Sequence, residues 1–241
     1  NKMYKPSDYS TFVSFTNDDI YESLQNHINE FQPDIIFWSA LSSHIHGEGE
    51  YVSIEYGYEL IKKVSSDAIK IAGGLQATAA PDEMCKKFPD VDYFISGESE
   101  FVIAEVADRL QQKKSLDKIN GLFANDKEPR LVGRQDIISD LDRIPPYDYG
   151  IFEDQTFFRP YNGKVVRAAD VELSRGCPYT CSYCVETVIQ KYYGFNETGS
   201  NGVLKKASKY LRNKSSSRIF LEISSLYKDQ SVTYFRCQDT N

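Results

Sequence analysis

Histidine, methionine and tryptophan are scarce in this chain, occurring three times, twice and once, and only five of its 241 residues are cysteine. Five cysteines make no disulfide framework: the count is odd, three of them crowd into eight residues, and Cys85 and Cys237 stand alone. Clustering of that sort points instead to metal binding in a reducing compartment. Positive charge is also short, 28 Lys and Arg against 35 Asp and Glu, for a formal net charge of −7. Such a surface repels phosphates, which argues against a general nucleic-acid binder. No apolar run approaches the roughly 20 residues that cross a bilayer. The stretch from Asn1 to Ser10 is polar, without a signal core. We therefore expect a cytoplasmic protein with neither membrane nor nucleic acid as partner. Apolar content is ordinary, at 41%, enough for one large core or two modest ones. The chain has no methionine before Asn1 and stops at Asn241 just after a strand pattern, so we read it as a piece of a longer protein.

Strand and helix patterns alternate through the first half. Phe12 to Phe15 reads as a short strand, Asp18 to Glu30 as a helix with Asn17 as N-cap, and Asp34 to Leu41 as an apolar strand buried on both faces. Tyr51 to Val64, Pro81 to Phe88 and Glu100 to Gln112 follow as helices. Between them lie the strands Ala68 to Ala72, Val91 to Ile95 and Ile119 to Ala124. The alternation predicts an α/β fold with a doubly wound parallel, Rossmann-like sheet over residues 1–124.

Such sheets bind ligands beyond the carboxyl ends of their strands. Three loops fall there: Ser39-Ala-Leu41-Ser42-Ser43, Gly73-Gly74-Leu-Gln76-Ala-Thr78 and Gly97-Glu98-Ser-Glu100. Glycine lets a backbone approach a ligand closely, and hydroxyl and amide groups bond polar substituents. Each loop also reads as plain turn chemistry, with glycine stopping or starting a helix.

Residues 125–164 read as a linker, in which Asp140 to Pro146 is extended because consecutive prolines oppose helix. A second α/β domain is expected over 165–241. Its strand Val165 to Leu173 leads into the cysteines, and the helices Leu204 to Arg212 and Arg218 to Leu226 and the strand Val232 to Arg236 follow.

The cluster reads Leu173-Ser-Arg-Gly-Cys177-Pro-Tyr-Thr-Cys181-Ser-Tyr-Cys184. A [4Fe–4S] cluster takes one thiolate per iron. Three ligands leave one iron open to a substrate or cofactor. Structural zinc would call for four ligands and paired Cys-x2-Cys spacings, whereas one such pair is present and all three histidines, His27, His44 and His46, lie in the first half. A ferredoxin-type carrier would need a fourth cysteine, and Cys237 is distant in sequence.

Cys-x3-Cys-x2-Cys at the end of a strand, with aromatic Tyr183 before the last cysteine, resembles the signature of radical S-adenosylmethionine (SAM) enzymes. The resemblance implies a [4Fe–4S] cluster on Cys177, Cys181 and Cys184, with SAM chelating the open iron and Tyr183 beside the cofactors. One electron then cleaves SAM to methionine and a 5′-deoxyadenosyl radical. A (β/α) barrel is implied too, of which 165–241 holds the first units, together with an electron donor such as flavodoxin or ferredoxin. The family's polar SAM-binding motif follows the second barrel strand, which points here to Asp239.

The first half resembles the cobalamin-binding domain of B12-dependent radical SAM enzymes. The likeness rests on Pro33 to Leu41, Gly73 to Thr78, Val91 to Glu100 and the Asp140 to Pro146 connector. It implies that the three loops hold cobalamin. No Asp-x-His-x-x-Gly loop is present, and Ser43-His44-Ile-His46-Gly47 lacks the spacing. Either that loop lies in a missing amino-terminal strand, or cobalamin binds without a histidine, or the domain keeps only the fold. Methylthiotransferases are set aside because their first domain carries three further cysteines, and here it has only Cys85.

The expected function is cobalamin-dependent radical SAM chemistry that methylates an unactivated carbon of a small-molecule substrate. One alternative is a B12-associated radical SAM enzyme that cyclises or rearranges without methylating. Another is a non-catalytic cobalamin- or iron–sulfur-binding fragment. With barrel strands missing, the piece alone is expected to be inactive.

Overall fold

The computed structural model describes residues 19–39, 42–43, 51–125 and 133–237, with side chains for all of these except 39–56. The strand expected at Phe12 to Phe15, the cap Asn17, and Leu41, His44, His46 and Asp239 lie outside the described residues. The chain forms two compact units. One takes Asp18–Ile138 together with Tyr179–Lys205; the other includes Ser139–Pro178 and the chain from Lys206.

The first unit contains helices α1 Ile20–Phe31, α2 Ser53–Lys63, α3 Leu75–Ala79, α4 Pro81–Lys87, α5 Glu100–Gln111 and α6 Glu186–Tyr192. Its strands are β1 Ile35–Ser39, β2 Ile69–Gly73, β3 Tyr93–Ile95 and β4 Leu122–Ala124, side by side in that order. Helix α1 begins where the Asp19 carboxylate accepts the Tyr21 amide at 2.9 Å. It ends at left-handed Gln32, just before Pro33.

β1, β2 and β3 are parallel as expected, but β4 pairs antiparallel with β3, so the sheet is mixed. The cause is the connector after α5. Left-handed Lys113, Lys118 and Gly121 turn it, and Gly121 meets the carboxyl end of β3 by accepting the Ser96 amide at 2.8 Å. From there β4 can only run back down the sheet.

Strand period decides the cores. Ile71, Ile95 and Leu122 pack with Val102 and Val106 of α5 on one face. Ala72, Phe94 and Phe123 pack with Tyr58 of α2 and Met84 and Cys85 of α4 on the other. Helices cover both faces, and Cys85 is a buried small hydrophobe.

In the second unit β5 Phe158–Tyr161 and β6 Lys164–Val171 form a hairpin, and β7 Tyr234–Cys237 lies parallel on the other side of β6. β5 falls within the stretch read as linker. Its turn is Asn162-Gly163, both with positive φ, the two-residue geometry that this dipeptide favours. Helices α7 Ala207–Tyr210 and α8 Ser216–Asp229 complete the unit.

Phe157, Ala169, Val171, Leu226 and Val232 form its core on one face of the sheet. Helix α8 is capped by Ser215, whose Oγ accepts the Arg218 amide at 3.1 Å. Buried Glu222 binds Lys214 at 2.8 Å and Arg218 at 2.5 Å. Arg218 also donates to the Ile144 carbonyl at 2.6 Å, which ties α8 to the connector before the sheet. β6, α8 and β7 make one parallel βαβ unit. No helix among the described residues is long and apolar enough to cross a membrane.

Candidate functional site

The approach to Cys177 is fixed within the second unit. Ser174 and Arg175 pair with Asn213 and Arg212, and Arg175 Nε binds Glu172 Oε1 at 2.8 Å. Gly176 follows with φ +92, and a Cβ there would stand 2.5 Å from the Tyr210 carbonyl oxygen. Only glycine suits both its conformation and its space.

Cys181 and Cys184 belong to the first unit. The Cys184 amide donates to the Cys181 carbonyl at 3.1 Å, closing a turn. Thr180 donates through both its amide and its hydroxyl to the Gly202 carbonyl, each at 3.0 Å. Helix α6, unforeseen in the sequence, starts two residues after Cys184, and the Thr187 hydroxyl donates to the Cys184 carbonyl at 2.8 Å.

All three cysteines are partly exposed thiols in no disulfide. Tyr183 is 90% exposed. Its phenol is pushed above its ordinary pKa first by the charge of Cys181, then by a hydrogen bond to Cys181, with burial and the charge of Cys184 adding less. Among the described residues no three His, Cys, Asp or Glu side chains close around one point fit for a metal ion. A [4Fe–4S] cluster makes a different demand, one thiolate per iron at separate corners of a cube. Three thiols spaced Cys-x3-Cys-x2-Cys along the sequence are donors of that chemical kind.

At the carboxyl edge of the first sheet, Gly73 ends β2 and Gly74, with φ +104, opens α3, a helix where the glycine pair predicts a loop. The Gly74 carbonyl accepts the Thr78 amide at 3.1 Å and its hydroxyl at 3.0 Å. Thr78 Oγ1 in turn accepts the Gly97 amide at 2.7 Å, and Ser96 Oγ donates to the Ala77 carbonyl at 2.9 Å. The β2 and β3 loops are thus laced together.

From α6, Tyr192 donates its hydroxyl to the Ser96 carbonyl at 3.0 Å, and Tyr193 Oη accepts the Glu98 amide at 2.7 Å. Gln135 Nε2 donates to the same Ser96 carbonyl at 2.6 Å. Glu98 Oε2 accepts the Ile138 amide at 2.9 Å.

Two of the loop glycines leave less room than the sequence suggested. A Cβ at Gly73 would lie 3.0 Å from the Phe37 ring, and one at Gly97 would lie 2.6 Å from both Gln135 and the Tyr193 hydroxyl. At both positions the protein's own side chains fill the space. Gln76 lies within α3, Glu100 is the first residue of α5, Ser39 ends β1, and Ser42 sits in a two-residue strand paired with Tyr51–Val52. Residues 73–80 read Gly, Gly, Leu, Gln, Ala, Thr, Ala, Ala, of which Ala77 and Thr78 are buried. His27, the one histidine among the described residues, lies on α1, whose last turn lines a shallow hollow at the opposite, amino ends of β1 and β2.

Sequence reasoning missed Ser96, Gln135, Tyr192 and Tyr193. The aromatic pair was visible beyond the cysteines, but no local pattern says what it packs against.

No protein-family model matches the chain. Over 177 residues it is 28% identical to the anaerobic magnesium-protoporphyrin IX monomethyl ester cyclase of Rubrivivax gelatinosus, covering 71% of this chain and 30% of that protein. Over 156 residues it is 26% identical to the cobalamin-dependent radical SAM methyltransferase TokK of Streptomyces tokunonensis, covering 64% of this chain and 22% of that one. The chain therefore spans less than a third of the length of these relatives. Its fold matches the radical SAM methyltransferase TsrM of Kitasatospora setae, solved with cobalamin and a [4Fe–4S] cluster bound, at a TM-score of 0.62 and 18% identity, over 95% of this chain and 41% of that one. A second structure of TsrM holds its tryptophan substrate and a SAM analogue.

Proposed function

As a relative of the cobalamin-dependent radical SAM enzymes, this chain, we propose, takes part in radical methylation of an unactivated carbon on a small-molecule substrate. One observation carries the reading: the loop bearing Cys177, Cys181 and Cys184 continues into a helix bonded to the carboxyl edge of a Rossmann-like sheet. In this reading the three thiolates hold a [4Fe–4S] cluster with one iron open for SAM. The loops at Gly74 to Thr78 and Gly97 to Glu100, with Ser39, Leu41 and Ser42, hold cobalamin. Asp239 and Tyr183 contact SAM, and the barrel is completed by strands that other parts of a longer protein supply. When bound, these groups supply one-electron cleavage of SAM and a transferable methyl group.

The chain's own residues orient and exclude. Gly176 lets Cys177 follow the Tyr210 carbonyl closely, and the 181–184 turn sets the spacing of the other two thiols. An electron donor such as flavodoxin or ferredoxin is required to reduce the cluster.

Anaerobic reconstitution with iron and sulfide should load about four irons per chain, with broad absorbance near ~400 nm. Stoichiometric zinc without iron uptake would overturn the reading. The cyclase relative favours a second reading, ring formation without methyl transfer. A methylated product together with S-adenosylhomocysteine supports the first reading, and their absence during substrate turnover supports the second.

A further inference from the structure

Helix α6 is seven residues long, about 10 Å from end to end at 1.5 Å per residue. It is bonded at three places to things that matter. At its start Thr187 holds the Cys184 carbonyl, and Cys184 holds that of Cys181. In its middle Gln190, 1% exposed, donates Nε2 to the Tyr179 carbonyl at 3.0 Å, between the first and second cysteines. At its end Tyr192 and Tyr193, rings edge to face at 4.9 Å, grip the Ser96 carbonyl and the Glu98 amide. Arg134 fixes that end by donating to the Tyr192 carbonyl at 2.9 Å. A short rigid helix held in this way moves as one body. Whatever fixes the sulfurs of Cys181 and Cys184 therefore fixes the Tyr193 hydroxyl, and Gly97 has no side chain to keep that hydroxyl off the β3 loop.

We propose that Tyr193, supported by Tyr192, is a positioning residue that couples the cysteine loop to the Ser96-Gly97-Glu98 loop, so that filling the cysteine site tightens the sheet edge at the other end of the helix, about 10 Å along it. The proposal rests on the cofactor reading above and adds a coupling that the reading does not require. Coupling between two sites is reciprocal, and its typical size is about 5- to 150-fold.

The Glu98 amide is the natural reporter, because its acceptor is the Tyr193 hydroxyl. Its hydrogen exchange is to be measured by NMR in the full chain before and after anaerobic reconstitution with iron and sulfide. In the wild-type chain, loading should slow exchange at Glu98 at least about fivefold. Tyr193→Phe should take up the same iron yet show equal Glu98 exchange in both states, while Tyr192→Phe keeps part of the response. A merely structural tyrosine would alter both states alike and leave their ratio unchanged.

The coupling is overturned if Tyr193→Phe keeps the wild-type ratio, or if wild-type Glu98 does not respond although iron is bound. Should Tyr193→Phe fail to fold, the wild-type ratio alone decides. Failure of the wild-type chain to take up iron overturns the cofactor reading itself, and the coupling with it.

Discussion

The four-stranded sheet has apolar cores on both faces, whereas the three-stranded sheet has one core, on the face that α8 covers. Its other face carries Asp170, paired with Arg236 at 2.5 Å, and the rings of Tyr161 and Tyr234, 5.4 Å apart. The difference decides where chemistry can go. A sheet buried on both sides offers a ligand only its edge, and here the loops of that edge are laced to one another. A sheet with its core on one side leaves its other face to whatever lies above it. Along β6 the alternation is plain, Ala169 and Val171 inward against Asp170 outward.

The largest effect that can test this contrast is on iron. Cys177→Ala, Cys181→Ala and Cys184→Ala should each abolish stable cluster binding, read as iron per chain after reconstitution. Cys85→Ala, in the two-sided core, and Cys237→Ala, on the one-sided sheet, should leave iron unchanged. Iron loss with Cys237→Ala would give the cluster four protein ligands and no open site.

Next comes Glu222→Ala, which strands the buried Lys214 ammonium and should destabilise by about 3–5 kcal/mol in urea titrations. Phe94→Ala, fully buried in one of the two cores of the first sheet, should also cost about 3–5 kcal/mol. Tyr234→Ala, 45% exposed on the open face, should stay within about 0.5 kcal/mol. Equal costs for Phe94→Ala and Tyr234→Ala would break the comparison. Asp170→Asn removes an exposed ion pair and should change stability by about 0–1 kcal/mol, less at high salt.

The smallest effect concerns pH. Hydrogen bonds from Ser215 are the main cause that holds the Asp142 carboxyl below its ordinary pKa, and Arg218 adds to them. A lowered folded pKa means stability that is present above the unfolded value, about 3.9, and lost as pH falls through the folded one. Asp142→Asn should flatten the acid limb of thermal melts recorded below about pH 4.

Much of this architecture was legible because it is local. The apolar run at Ile35 to Trp38, the helix between Glu100 and Gln111, and the strand into the cysteines all follow from period and capping. Helix α3 was not legible, because Gly73-Gly74 reads as a loop and the helix is only five residues long. Helix α6 was masked by β-branched Thr187, Val188 and Ile189, which favour strands. The β5–β6 hairpin could have been found from Asn162-Gly163 alone. The antiparallel β4 and the Tyr193 contact are settled by tertiary packing, which no window of sequence contains. At the site, the three cysteines were readable from spacing, but the crowding at Gly73 and Gly97 was not, since glycine marks a close approach without saying who approaches.

Residues 179–205 return to the first unit only after the chain has laid down β5 and β6 of the second. On the ribosome this imposes an order of birth. At about 5–20 residues per second, the sheet through Ala124 is complete roughly 3–14 s before Tyr193 is added. During that interval the Glu98 amide still lacks its Tyr193 acceptor, and the Ser96 carbonyl has Gln135 but not yet the Tyr192 hydroxyl. A nascent chain halted at Ile138 is an open platform, and a protease that cuts between the units at that linker does not release the first unit whole, because its last helix remains on the other fragment.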